Sequence, residues 1–159
     1  MRVIAIDPGN VQSAYVLMED YKPVEFAKIE NDYIRRLLMR TTEPFSGEHI
    51  DKVVIEMIGH YGTGMPAGKT VFDTCVWIGR FSECVIASSF EHVLRPTVKA
   101  HLCGSARAKD GNVRQALIDR FGVVGTKKEP GWFYGFHADI WQAYAVGVTY
   151  MDRGNDACV

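Results

Sequence analysis

The chain has 159 residues, of which 47% are hydrophobic and 23% charged, with a net charge of −1. These proportions exclude a disordered or fibrous chain, and a domain of this size can fold without a disulfide or a metal. No apolar run reaches the roughly 18 residues of a membrane span, and residues 1–15 lack a signal-peptide pattern, so we expect a cytoplasmic protein. The four cysteines lie far apart and form no C-x-x-C pair, which argues against a zinc ribbon or a disulfide framework.

The predicted elements alternate between apolar extended runs and helical patterns. Residues 2–7, RVIAID, are apolar on both faces, which is typical of a central strand, and Pro8 and Gly9 end this run. Asn31 is a candidate N-cap for the first helix. The predicted strands are residues 2–7, 13–18, 24–29, 53–57 and 91–94, and the predicted helices are residues 32–40, 69–87, 97–102, 110–121 and 137–151.

The order of these elements predicts the fold class. Three strands joined by short turns come first, and strands and helices alternate after them. We therefore expect an α/β domain over residues 1–159 with a five-stranded mixed sheet, antiparallel in its first part and parallel in its second, flanked by helices.

The basic residues are concentrated in one segment. Residues 95–128 contain eight Lys or Arg and two Asp, whereas the remainder has ten basic and seventeen acidic residues. A basic segment on an acidic body indicates nucleic-acid binding, although a solvated helical face explains the same count equally well. The eight are Arg95, Lys99, Arg107, Lys109, Arg114, Arg120, Lys127 and Lys128.

Three acidic residues from distant parts of the chain lie in apolar surroundings. Asp7 ends the first predicted strand, Glu56 lies within the strand VVIEM, and Asp139 begins the last helix. Ligand sites in open α/β sheets gather at the carboxyl ends of the strands, and Mg²⁺ prefers a few carboxylates plus waters. Asp7 also fits a turn and Asp139 a helix N-terminus, but Glu56 has neither explanation, so the set favours a hard-cation site.

Four segments occur in order along nearly the whole chain: IDPGNVQSAYVL, VVIEM, RPTVKAHLCGSARAKDGNVRQAL and DIWQAYAVG. As an ordered set they resemble the motifs of the RuvC-type Holliday junction resolvases. IDPGNVQSAYVL resembles the first motif of that family, in which a hairpin follows the aspartate. VVIEM resembles the second motif, and RPTVKAHLCGSARAKDGNVRQAL resembles the lysine-bearing segment, where Lys99 and Lys109 match the family's lysines. DIWQAYAVG resembles the last motif. The ordered set is specific, although each motif alone is weak.

The resemblance implies an RNase H-like fold and an acidic tetrad. The family places two acids, or a histidine and an acid, three residues apart on the final helix, and this chain departs from that spacing. Gln142 occupies the fourth position if Asp139 is the first of the pair. Phe136 occupies it if Asp139 is the second, with His137 one residue away. His137 and Gln142 both remain candidates, and His137 is favoured because imidazole binds a divalent cation better than an amide does.

The activity that the resemblance implies is metal-dependent hydrolysis of Holliday junctions or other branched DNA, leaving 5′-phosphate and 3′-hydroxyl ends. Asp7, Glu56 and Asp139 would hold two Mg²⁺ ions, for which Mn²⁺ can substitute. The basic residues would bind DNA phosphates: Lys99 and Lys109 near the cut, with Arg107 and Arg114 in support. A non-cutting junction-binding module and an RNA-processing nuclease of the same fold are the alternatives.

Two further expectations concern aromatic residues. Tyr61, in the glycine-rich stretch after Glu56, is a candidate for stacking on an unpaired base, or else an ordinary loop or core aromatic. Symmetric cuts in a four-way junction require a two-fold dimer. An exposed stripe of Phe72, Trp77 and Phe81 on the helix 69–87 would supply its interface, unless these side chains pack on the sheet. These patterns reveal neither the host nor whether the gene belongs to a bacterial chromosome or to a phage.

Overall fold

The computed structural model describes residues 1–41, 49–59, 68–85 and 90–156. Within these ranges, no helix is long and apolar enough to cross a membrane. The strands are β1 (Arg2–Asp7), β2 (Gln12–Glu19), β3 (Lys22–Glu30), β4 (Lys52–Met57) and β5 (Phe90–Leu94). The helices are α1 (Asn31–Thr41), α2 (Lys69–Cys84), α3 (Arg95–Cys103), α4 (Asp110–Phe121) and α5 (Ile140–Asp156).

The five strands form one mixed sheet in the order β3-β2-β1-β4-β5. The pairs β1–β2 and β2–β3 are antiparallel, whereas β1–β4 and β4–β5 are parallel. The predicted α/β architecture, with an antiparallel part followed by a parallel part and flanking helices, is therefore confirmed.

The central strand β1 contributes to two hydrophobic layers, because successive side chains point to opposite faces of a sheet. Val3 and Ala5 join a core formed with α3, α4 and α5, whereas Ile4 and Ile6 join a core formed with α1 and α2. All four side chains are fully buried, which explains why residues 2–6 lack the apolar–polar alternation of a half-exposed strand.

Helix α5 lies very close to the sheet. A Cβ atom added at Gly147 would lie 2.3 Å from Met18 Sδ and 3.0 Å from Ala5 Cβ. Glycine at this position therefore permits the close packing of α5 on β1 and β2.

Three local predictions differ from the structure. Helix α3 begins at Arg95 rather than at residue 97, because proline is accepted in the first turn of a helix. Helix α5 begins at Ile140 rather than at residue 137, after a turn in which Ala138 has a φ of +44°. Asn31 does not use its side chain as an N-cap, since it binds Ser13 and Gly9 instead.

The predicted exposed stripe on α2 was wrong in part. Phe81 is fully buried, and the ring of Trp77 packs against it with 5.7 Å between centroids. Phe72 and Val76, one helical turn apart, are instead exposed, at 61% and 53%. Phe81 belongs to the inner face of α2 with Ile78, which is why one helical face could not contain all three aromatic residues.

A polar cluster around Asp152 joins α3, α4 and α5 to the β2–β3 turn. Arg120 donates two hydrogen bonds to the Asp152 carboxylate, at 2.6 and 2.8 Å, and Tyr21 Oη donates a third at 2.8 Å. The Nε2 atom of His101 lies 2.6 Å from the same carboxylate. Burial opposes ionisation, but these partners lower the pKa of Asp152 to about 2.

The Asp152 cluster generates a prediction about acid stability. Because the folded-state pKa lies below the unfolded value, the stabilisation is present above about pH 4 and is lost as the pH falls towards about 2. We expect Asp152→Asn to lower the free energy of unfolding by about 2 kcal/mol near neutral pH. The deficit relative to wild type should shrink below about pH 4. Urea unfolding from pH 7 to pH 2.5 measures it, and a deficit that does not depend on pH would contradict this account.

Candidate active site

The parallel pairing of β1 with β4 brings two carboxylates together at the end of both strands. Ile6 is the register partner of Ile55, so the next residues, Asp7 and Glu56, are neighbours. Alternation along each strand places Asp7 on the face of Ala5, and Glu56 on the face of Val54, which is the face covered by α5. Two acids far apart in sequence thus meet at the carboxyl edge of the sheet.

A buried polar network shapes the turn that follows Asp7. The Gly9 N–H donates to Ser13 Oγ at 3.0 Å, and Ser13 Oγ donates to Asn31 Oδ1 at 2.6 Å. Asn31 Nδ2 closes the network by donating to the Gly9 carbonyl at 2.9 Å. A Cβ at Gly9 would lie 2.2 Å from the Gln12 carbonyl oxygen, so glycine is required there. The network holds the turn, and with it the Asp7 end of β1.

The third predicted acid, Asp139, lies at the start of α5. Its carbonyl accepts the Ala143 N–H at 3.0 Å, which opens the helix, and Lys28 Nζ of β3 binds its carboxylate at 2.5 Å. The positive end of the α5 dipole favours an acid at this position. Asp139 is close enough to Asp7 for its charge to raise the pKa of Asp7.

Asp7 and Glu56 both have raised pKa values, because the positive charge near them does not fully stabilise their ionised forms. Burial, and then the neighbouring Glu56 carboxylate, raise the pKa of Asp7 well above its ordinary value. Burial raises the pKa of Glu56 to about 7, although the Arg95 guanidinium opposes this shift. Such perturbed acids in one cleft are typical of a functional site.

A chain of alternating charges runs away from Glu56. Arg95, the first residue of α3, donates from Nη1 to Glu56 Oε1 and from Nη2 to Asp110 Oδ2, both at 3.1 Å. Lys99 Nζ, one turn further along α3, lies 3.0 Å from Asp110 Oδ1. Burial acts against it, but Lys99 and Arg95 hold the pKa of Asp110 below its ordinary value. These ion pairs link α3 and α4 to the acidic edge of the sheet.

A cleft of about 190 Å³ opens at this edge, between the strand ends and the first two turns of α2. Carboxylates, a guanidinium and two hydroxyl-bearing side chains face one space, which suits a small polar group such as a phosphate with its cations. The lining residues are Asp7, Pro8, Glu56, Ile58, Thr70, Val71, Thr74 and Arg95.

The donor set at the edge fits a hard divalent cation. Glu56 Oε1 binds Arg95, but Glu56 Oε2 is buried and has no hydrogen-bond partner. Carboxylate oxygens are the ligands that Mg²⁺ prefers, and an unpartnered buried oxygen is costly unless a cation or a donor satisfies it. Among the described residues, however, no three acidic, histidine or cysteine side chains are grouped closely enough to hold a metal as they stand. Instead, Arg95 pairs with Glu56, and Lys28 pairs with Asp139.

The two candidates for a fourth ligand lie on either side of Asp139. His137 is exposed, and its Nδ1 lies 3.0 Å from the Gly135 carbonyl oxygen. Gln142 is buried within α5. In the described part of the chain, neither side chain forms a hydrogen bond or ion pair with Asp7, Glu56 or Asp139, so the choice between them stays a prediction.

The predicted DNA-binding residues that the structure describes differ in exposure and in their partners. Lys99 is only 17% exposed and is paired with Asp110, whereas Arg107 and Lys109 are exposed in the connection between α3 and α4. The Arg114 guanidinium lies 4.9 Å from the centroid of the Trp141 ring. The fifth candidate, Tyr61, falls outside the described residues.

Sequence reasoning missed three residues of this site. Arg95 and Asp110 counted only as charges of the basic segment, and Lys28 was not singled out. Arg95 had one available signal, since it follows β5 as Asp7 ends β1 and therefore lies at the same edge of the sheet. The sequence held no comparable signal for Asp110 and Lys28, because the residues with which they form ion pairs belong to other helices and strands.

Comparison with known proteins identifies the fold. No protein-family model matches the sequence, and no curated protein matches it. Among solved structures, Thermus thermophilus RuvC superposes with a TM-score of 0.71 at 13% identity, covering 99% of this chain and 97% of that chain. T. thermophilus RuvC in complex with Holliday junction substrate gives a TM-score of 0.68 at 16% identity, covering 97% and 96%.

A viral protein gives a similar result. The fowlpox virus Holliday junction resolvase superposes with a TM-score of 0.55 at 17% identity, covering 96% of this chain and 99% of that chain. At these identities the likeness concerns the fold. The chain has the RNase H-like fold of RuvC-type resolvases over essentially its full length.

Proposed function

We propose that this protein is a metal-dependent endonuclease that cuts Holliday junctions or related branched DNA. The observation that carries the proposal is a pair of carboxylates, the buried Glu56 and the partly buried Asp7, side by side at the carboxyl edge of a sheet with the RuvC fold. Burying two like charges together is costly, and a bound cation would repay that cost. Asp139 lies within electrostatic reach of Asp7 and completes an acidic set from three elements.

The side chains have distinct roles in this proposal. Asp7, Glu56 and Asp139 would hold two Mg²⁺ ions, or Mn²⁺ in their place, which when bound supply an activated water and stabilise the leaving 3′ oxygen. Hydrolysis then adds water across the P–O3′ bond and leaves a 5′-phosphate and a 3′-hydroxyl. The Ser13–Asn31 network keeps the turn beside Asp7 rigid, which fixes one carboxylate relative to the other.

The basic residues of α3 and of the α3–α4 connection would bind the DNA backbone. Arg107 and Lys109 are exposed and available for phosphates, and Lys99 would have to release Asp110 to join them. Such contacts carry no sequence information, which suits an enzyme that recognises a branched shape.

A two-fold dimer would place two such sites on one junction. The exposed Phe72 and Val76 on α2 form an apolar surface that a second copy could cover across a symmetry axis. An isologous contact of this kind would orient both clefts towards the same DNA.

One observation favours a second candidate function, that of a junction-binding module without cleavage. Arg95 and Lys28 pair with Glu56 and Asp139, so two of the three acids already have counter-ions. Purified protein incubated with a mobile four-way junction in Mg²⁺, in Ca²⁺ and without metal separates the two functions. Nicking that requires Mg²⁺ supports the endonuclease, whereas binding without nicking in any metal supports the module. Competition with structured RNA tests the substrate class.

The first prediction concerns Asp7. We expect Asp7→Asn to abolish Mg²⁺-dependent nicking while junction affinity in Ca²⁺ stays within about threefold of wild type, because the amide removes a ligand charge and leaves the basic surface intact. Gel assays of nicking and binding measure both effects. Asp119→Asn, an exposed acid on α4 whose side chain contacts Gln115, is the matched control and should cut normally. Nicking by Asp7→Asn at the wild-type rate would remove Asp7 from the site.

The second prediction concerns salt. Phosphate contacts release counterions, so the logarithm of junction affinity should fall linearly with the logarithm of salt concentration. Lys109→Ala should weaken binding and flatten the slope by about one unit. Lys22→Ala, an exposed lysine at the start of β3, is the control and should leave the slope unchanged. Equal slopes for wild type and Lys109→Ala would show that Lys109 is solvated rather than bound to DNA.

The third prediction concerns assembly. Phe72→Asp should convert a dimer into a monomer, because it introduces a charge into an apolar contact that both copies share. Sedimentation velocity measures the change, and Val123→Asp, an exposed apolar site between α4 and α5, is the control. If Phe72→Asp sediments as wild type does, α2 is not the interface.

A further inference from the structure

Arg95 holds a position that the proposed reaction leaves unexplained. Its guanidinium lines the acidic cleft and binds Glu56 Oε1 at 3.1 Å, although Glu56 is a proposed metal ligand. A cation needs the same carboxylate, so Arg95 and a metal compete for it. The Glu56 side chain is 6% exposed, and there is little room around it for both.

The second partner of Arg95 provides an alternative anchor. Asp110 accepts Nη2 of Arg95 at 3.1 Å and also pairs with Lys99 at 3.0 Å. Asp110 is about half exposed and belongs to α4, not to the sheet edge. If Arg95 releases Glu56, it therefore still has Asp110 as a carboxylate partner, just outside the residues that line the cleft.

The charge balance of the site agrees with this arrangement. Among the described residues, the acidic edge and its ion-pair partners comprise four acids, which are Asp7, Glu56, Asp110 and Asp139, and three basic side chains, which are Arg95, Lys99 and Lys28. Two divalent cations added to this set would leave an excess of positive charge. A phosphodiester entering the cleft would reduce that excess, and a guanidinium is the side chain best suited to a phosphate.

We propose that Arg95 is an exchangeable counter-ion: it neutralises Glu56 before the metal binds, and when the metal displaces it, it contacts the scissile phosphate while Asp110 retains it. The inference rests on the proposed nuclease function and deepens it. In this proposal Arg95 binds Glu56 first and the scissile phosphate second, and Asp110 holds Arg95 in position. If Arg95 had a purely structural role, its removal would leave metal affinity unchanged or weaken it.

The test measures Mn²⁺ binding to the full chain without DNA, by electron paramagnetic resonance or calorimetry. We expect Arg95→Gln to bind Mn²⁺ about tenfold more tightly than wild type, because it removes a cation that competes for Glu56. Arg95→Lys keeps the charge and should stay within about threefold of wild type. Arg153→Gln makes the same charge change in the last turn of α5, about 20 Å from Asp139, and should have no effect.

The second half of the proposal is tested by kinetics at saturating Mg²⁺. Arg95→Gln should lower kcat for junction nicking by about 100-fold, while junction affinity in Ca²⁺ stays within about threefold of wild type. A thermal melt of each variant confirms that it is folded. Tighter Mn²⁺ binding together with slower nicking is the expected combination.

Three results would overturn the proposal. Weaker or unchanged Mn²⁺ binding by Arg95→Gln shows that Arg95 does not compete with the metal. If Arg95→Lys tightens Mn²⁺ binding as much as Arg95→Gln does, the shape of the guanidinium and not its charge is responsible. An unchanged kcat at saturating Mg²⁺ excludes the phosphate contact. Failure of the proposed function gives a different result, because wild type itself would then neither bind Mn²⁺ nor nick the junction.

Discussion

The structure depends on holding two carboxylates, the buried Glu56 and the partly buried Asp7, side by side on neighbouring strands. Asp7 and Glu56 meet because β1 and β4 are parallel and paired in one register, and a shift by one residue would turn either side chain to the other face. Burial and mutual repulsion raise the pKa of Asp7, and burial raises that of Glu56. The remaining polar contacts at this edge offset part of the free-energy cost of holding these two carboxylates together.

Those contacts come from the sheet and from the helices on one of its faces. Arg95 follows β5 and Lys28 lies on β3, and Arg95 also binds Asp110 at the start of α4, so these ion pairs link the acidic edge of the sheet to α3 and α4. The pairing of Lys28 with Asp139 also joins the edge strand β3 to the start of α5.

Helix α5 connects the site to the stabilising cluster at the other end of the molecule. Asp139 precedes its first turn, and Asp152 lies about 20 Å further along the helix axis. Asp152 has strong partners and a lowered pKa, whereas Asp7 at the cleft has a raised one. Among the described residues, a carboxylate with several partners thus stabilises the fold at Asp152, whereas carboxylates with raised pKa values lie at the cleft, which is the distribution expected when a site costs stability.

The sequence by itself determined the change from an antiparallel to a parallel part of the sheet, the strand positions and three candidate acids, because buried strands and turns leave local patterns. The apolar run of residues 3–6 and the turn residues Pro8 and Gly9 are examples. Only the tertiary structure decided that Arg95, Asp110 and Lys28 belong to the site, since each ion pair joins residues 15 to 111 positions apart. It also decided which aromatic residues of α2 are exposed, because helical periodicity identifies a face but not the element that covers it.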